Sequence, residues 1–193
     1  MPHFSIYRTI IYRPLAISFS MASVTILLTR FNETVHVLLN ALARYSLPAL
    51  QQQPQPGAWS LGQMYTHILD DTEYYIEQMK TALATADNTN KTMHTDAKAM
   101  FANNAFPDIQ IAGPATGIYI PQPESKELLV QRLSSIKATI NTLYQSFDDT
   151  KPQGKTLHPG LLFFSSLEWL QFAEMHMRHH LRQKERIERA LKL

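Results

Sequence analysis

Four stretches of the chain repeat apolar residues at steps of three and four, the spacing that holds side chains on one face of a helix turning about 100° per residue. Val24, Leu28, Phe31, Val35, Leu38 and Leu42 form the first stripe. Leu61, Met64, Ile68, Tyr75, Met79 and Leu83 form the second, and Leu129, Leu133, Ile136, Ile140, Leu143 and Phe147 the third. The fourth runs Trp169, Ala173, His176, His180, Gln183, Ile187 and Leu191, apolar at both ends and polar at its centre. The pattern predicts helices near 23–44, 60–84, 125–147 and 165–191, each of which must bury its stripe against the others.

The residues between the stripes support this division. Ser60 with Gln63, and Ser165 with Glu168, have the spacing of reciprocal helix caps, and Trp59 and Phe164 stand where they can staple onto Met64 and Trp169. Pro48 reads as the close of the first helix, and Gln51–Gly57, rich in Gln, Pro and Gly, as its connection. Asp87–Pro123 has weak periodicity and predicts a short helix over Thr95–Ala105 within a long crossover; Asp148–Gly160 reads as a polar loop. The expected fold class is therefore all-α, a four-helix bundle with one long crossover connection. No internal repeat, glycine-rich phosphate loop or nucleophile elbow interrupts it.

Residues 1–20 carry Arg8 and Arg13 but no acid, the first carboxylate of the chain being Glu33. With Ser20-Met21-Ala22 this composition fits a targeting segment. Pro14 interrupts its apolar run, however, and the helical pattern starts only after Met21. Residues 1–21 are therefore expected to be an N-terminal extension outside the fold, making few contacts with a single bundle domain over 22–193.

Composition narrows the function classes. Of 193 residues, 45% are hydrophobic and 18% charged, the balance of an ordinary folded chain. A net charge of +2 is too small to argue for nucleic acid. The basic residues of the last helix (Arg178, Arg182, Lys184, Arg186, Arg189, Lys192) are mixed with Glu185 and Glu188, as on a solvated face. With no cysteine, any metal must be held by nitrogen and oxygen. No apolar run approaches the roughly 18 residues that span a bilayer. The expectation is a soluble, cytoplasmic protein with neither a nucleic-acid nor a membrane partner, and with a homodimer as the candidate assembly.

The candidate chemistry lies at the polar centre of the fourth stripe. His176 and His180 are one turn apart on one face, whereas His179 is rotated away. Burying two imidazoles in an apolar seam is costly unless each finds a partner, and one shared metal ion supplies a partner for both. Two core histidines bonded to neighbouring helices, or a basic, partly exposed face, fit the same spacing. His67 rides beside the second stripe, with Asp71 four residues on, where it can orient an imidazole or face solvent. His36 and His94 have no ligand pattern near them and read as surface residues.

Trp59-Ser60-Leu61-Gly62-Gln63-Met64-Tyr65-Thr66-His67, together with His158-Pro159-Gly160, Glu168-Trp169-Leu170-Gln171-Phe172 and His176–Gln183, resembles the DinB-like superfamily, which includes metal-dependent hydrolases and thiol transferases. The resemblance spans about residues 22–191 in architecture, with specific motifs only on the second and fourth helices. It implies that His67, His176 and His180 bind a divalent metal, zinc or nickel. The chain departs from the family pattern where Leu161-Leu162 follow Gly160, since relatives often carry a glycine there. What the resemblance implies is metal-assisted hydrolysis, or transfer of a low-molecular-weight thiol to a small-molecule electrophile; a non-catalytic metal-binding or ligand-binding bundle is the alternative. No second catalytic group stands out in the sequence.

Overall fold

The computed structural model describes residues 21–107 and 119–193. Of the expected extension, residues 1–21, the first 20 lie outside the described residues, as does the middle of the crossover, and Met21 begins α1. The element order is α1 (Met21–Arg44), α2 (Leu47–Gln51), α3 (Leu61–Ala84), α4 (Thr95–Asn103), α5 (Lys126–Gln145), β1 (Lys155–His158), β2 (Leu162–Ser165) and α6 (Ser166–Leu191). The long helices α1, α3, α5 and α6 make the bundle. Of these, α3 packs on α5 and α6, and α1 packs on the same two. Helices α1 and α3 are thus diagonal to each other, although they follow one another in the chain.

All four stripes face one core. Phe31, Val35, Leu38 and Leu42 of α1, Ile68 and Met79 of α3, Leu133 and Ile140 of α5, and Ala173 of α6 are wholly buried, and Leu28 is partly buried against them. Burying the larger of these side chains stabilises by about 1.5–3 kcal/mol each, which outweighs the weak intrinsic helicity of isolated segments. In α5 the inward residue near the end is Tyr144 as much as Leu143, because its hydroxyl donates to the Ser166 carbonyl oxygen at 2.8 Å.

Two segments differ from the sequence reading. Pro48 does not close the first helix; it lies in the first turn of α2, capped by Ser46, where a residue without an N–H is harmless. The stretch read as a polar loop contains β1, which pairs antiparallel with β2 from Lys155↔Ser165 to His158↔Leu162. This hairpin is anchored by tertiary contacts: Phe164 is wholly buried, and Trp169 Nε1 donates to Thr156 Oγ1 at 2.7 Å. The turn leaves Leu162 at φ +66°, a conformation that favours glycine, at the place where the family pattern departs.

The crossover is tied to the bundle at both described ends. At one end, Gln63 Nε2 donates to the Ile120 carbonyl at 2.6 Å and Gln51 Nε2 to the Pro123 carbonyl at 3.0 Å. At the other, Arg178 donates to the Asn104 carbonyl at 2.7 Å and Arg182 to the Phe106 carbonyl at 3.2 Å. Arg178 is itself fixed by both carboxylate oxygens of the buried Glu174, at 2.8 Å each. These bonds bring Phe106 over α6.

Candidate metal centre

Reciprocal caps fix where α3 and α6 begin, and therefore the height at which each presents its histidines. Gln63 N donates to Ser60 Oγ and Ser60 N to Gln63 Oε1, both at 3.1 Å. Ser165 N donates to Glu168 Oε2 at 2.6 Å and Glu168 N to Ser165 Oγ at 3.3 Å. From these starts His67 falls in the second turn of α3, and His176 and His180 fall midway along α6. The α3–α6 interface brings the three together: one nitrogen from each lies within 4.8 Å of the others.

His176 and His180 are each 7% exposed and His67 is half-buried. The Nε2 atoms of His176 and His180 are 3.0 Å apart, and the His67 ring centroid lies 5.1 and 4.8 Å from theirs. Three nitrogens at about 2.0–2.1 Å from one tetrahedral ion stand about 3.3 Å apart, so small side-chain rotations fit this trio to a common ion.

The protonation of all three, and the tautomer of His180, favour the same use. Burial pushes His180 down to about 3 and His176 well below the ordinary histidine range; burial also lowers His67, against the opposing pull of Asp71 and Asp70. All three are therefore neutral at pH 7, with a lone pair to offer. His180 Nδ1 is 2.7 Å from Gln183 Oε1. An amide oxygen only accepts, so the proton sits on Nδ1 and the Nε2 lone pair faces the centre. Without an ion, His176 Nε2–H donates to that lone pair, and His176 Nδ1 is buried with no hydrogen-bond partner among the described residues.

Asp71 also faces this centre. Its Oδ2 lies 3.7 Å from His67 Nε2 and 3.6 Å from His176 Nε2, and it accepts from the Tyr75 hydroxyl at 3.2 Å. The sequence marked Asp71 as four residues from His67 but could not show which side of the rings it would reach. Aromatic rings wall the site: Trp59 is 5.1 Å from His67, and Tyr75 and Phe106 are 5.8 and 6.0 Å from His176. None of the three was read as part of a site.

The other histidines among the described residues lie apart from the centre. His179 turns away, its Nδ1 2.9 Å from Arg182 Nη2 and its ring 5.5 Å from Phe106. His158 stacks on Trp169, and its Nδ1 accepts from the N–H groups of Gly160 and Leu161 at 3.1 Å each, closing the hairpin turn. His94 is exposed and caps α4 by accepting from Asp96 N, and His36 is exposed on α1.

Comparison with known proteins agrees with this architecture. The family model described as the DinB superfamily matches residues 30–183. Among solved structures, YfiT from Bacillus subtilis, described as a probable metal-dependent hydrolase with an unusual four-helix bundle topology, is 14% identical with a TM-score of 0.58, over 91% of this chain and 93% of that one. TT2238, described as a four-helix bundle protein, is 15% identical with a TM-score of 0.54, over 84% of this chain and 98% of that one. Likeness at such identities carries the fold alone. No protein of curated function matches the sequence. Among the described residues, no helix is long and apolar enough to cross a membrane.

Proposed function

The chain belongs to the DinB superfamily, and on that footing we propose that it is a metal-dependent enzyme acting on small-molecule electrophiles, either a hydrolase or a low-molecular-weight-thiol S-transferase. The observation that carries this reading is the convergence of three neutral imidazoles, His67, His176 and His180, on one point. They would hold a divalent ion, zinc or nickel. Three nitrogen donors leave such an ion an open position, where it supplies Lewis acidity toward a water or a thiol. The description of YfiT as a probable metal-dependent hydrolase supports the reading.

The protein's own residues prepare the site. Burial keeps the imidazoles deprotonated, and Gln183 holds the His180 tautomer that points a lone pair inward. Trp59, Tyr75 and Phe106 exclude water from one side and offer apolar faces to the body of a small substrate.

Metal analysis of the purified chain beside its His176→Ala variant tests the proposal. The wild type should carry about one zinc or nickel per chain and His176→Ala none, with helical content unchanged. Panels of esters and amides in water, and of electrophiles with cellular thiols, then separate the two nucleophiles. Activity should disappear on chelation and return with the ion. Stoichiometric metal retained by His176→Ala would refute the site, and metal without turnover on either panel would leave a binding module.

A further inference from the structure

Helix α6 offers two donors one turn apart, and so does α3. His67 and Asp71 have the same four-residue spacing as His176 and His180, and the two pairs meet across the α3–α6 interface. Asp71 Oδ2 stands 3.7 Å from His67 Nε2 and 3.6 Å from His176 Nε2. The donors that all lie within 4.8 Å of one another are the three histidines, so Asp71 borders the trio on its His67–His176 side and joins it by a turn of its side chain toward His180. Its direction is fixed by the Tyr75 hydroxyl, and the Tyr75 ring is stacked on Trp169 with centroids 5.4 Å apart.

The neighbouring carboxylate shows the contrast. Asp70 points off the other side of α3, where it accepts from Arg132 of α5 at 2.7 Å. Asp71 has no arginine or lysine bonded to it among the described residues; its polar neighbours are a hydroxyl and two neutral imidazoles. A partly buried carboxylate in such surroundings lacks a countercharge, and a divalent ion provides one.

We propose that Asp71 is the fourth protein donor of the metal centre, completing a set of three nitrogens and one oxygen supplied as two i,i+4 pairs from α3 and α6. This rests on the metal-binding reading above and extends it. An anionic oxygen donor lowers the net charge of the centre, and with four protein donors the open position that the proposed function requires belongs to an ion taking five or six ligands, such as nickel, rather than to a tetrahedral zinc.

The test uses the full chain loaded with cobalt(II) or zinc, with affinities measured by chelator competition and the cobalt site followed by visible absorption. Asp71→Asn, which keeps the shape of the side chain, and Asp71→Ala should each bind about 10- to 100-fold more weakly, the range found when a group supporting a metal site is removed. The cobalt bands of Asp71→Ala should differ from those of the wild type because an oxygen donor has been lost, and those of Asp71→Asn because a neutral amide oxygen replaces the carboxylate, while far-UV circular dichroism is unchanged. Wild-type affinity and an unaltered cobalt spectrum in both variants, with His176→Ala losing the ion, would overturn the assignment of Asp71 and leave the three-histidine site standing. A wild-type chain that binds cobalt no better than His176→Ala would overturn both.

Discussion

Replacing His176 with leucine should leave the metal-free protein about as stable as the wild type at neutral pH and more stable in acid, while abolishing ion binding. The ring is 7% exposed in the seam between Ala173 and His180, and its Nδ1 has no partner among the described residues. An unsatisfied buried polar atom costs about 1–3 kcal/mol, and leucine removes it in a volume close to that of imidazole. The change also takes from buried His180 Nε2 its 3.0 Å partner, leaving that nitrogen unsatisfied at a similar cost of about 1–3 kcal/mol. The two terms cancel to within about 1 kcal/mol at neutral pH, a shift of no more than about 2–4 °C in melting temperature for a chain of this size.

Acid should open a gap in the variant's favour. Burial holds His180 at about 3, against 6.5 for a free histidine. A histidine depressed in the folded state keeps its full stability above the unfolded value and loses it as pH falls below that value, because the unfolded chain takes up the proton first. At about pH 5 the loss from His180 is about 2 kcal/mol. His176, pushed down by its own burial and its histidine neighbours, adds to the loss in the same window, and the leucine variant is spared that share. Thermal melts followed by circular dichroism in chelator, at pH 7 and pH 5, measure both effects. A variant that melts below the wild type at both values would show that His176 is satisfied or packed well enough to outweigh its buried nitrogen.

Gln183→Leu should weaken metal affinity about 10- to 100-fold in chelator competition, because the His180 tautomer is no longer held. Gly62→Ala should lower the melting temperature: an added Cβ would lie 2.6 Å from Pro123 Cδ and 2.9 Å from the Leu50 carbonyl oxygen, and overpacking of this kind costs about 1–3 kcal/mol against a helix-propensity gain of about 1. Leu162→Gly should leave the melting temperature the same or raise it slightly, since relief of about 1–2 kcal/mol at φ +66° is offset by about 0.5–1 kcal/mol of added chain entropy. A clear loss of stability there would mean that the Leu162 side chain is needed by the hairpin.

The four long helices were legible because each carries its stripe along a helix of 20 or more residues, too long for chance spacing to imitate. The hairpin was not. Lys155-Thr156-Leu157-His158 and Leu162-Phe163-Phe164-Ser165 are four residues each without clean alternation, and they are fixed by Trp169 and the core rather than by their own pattern. Pro48 misled because proline suits a helix start as well as a stop, and only the Ser46 cap distinguishes them. For the site, spacing alone paired His176 with His180. The third histidine came from family resemblance, because which residues of α3 face α6 depends on the rotation of one helix against the other. Asp71 was visible as a neighbour of His67, but its side of the ring depends on that same rotation.

The rotation is set by parts of the molecule that do no chemistry. Reciprocal caps fix the first turns of α3 and α6, and Gln63 ties the start of α3 to the returning crossover. Beyond the caps, Ile68 and Met79 on one helix and Trp169, Ala173 and Ile187 on the other bury the seam on either side of the histidines. The imidazoles therefore cannot relax toward water without exposing that seam, at about 25 cal/mol for each Å² uncovered. The same burial that strips their protons and leaves His176 Nδ1 unsatisfied also holds the donors in place before an ion arrives. Loss of a histidine should accordingly remove the ion and spare the bundle, whereas loss of the flanking apolar residues should remove both.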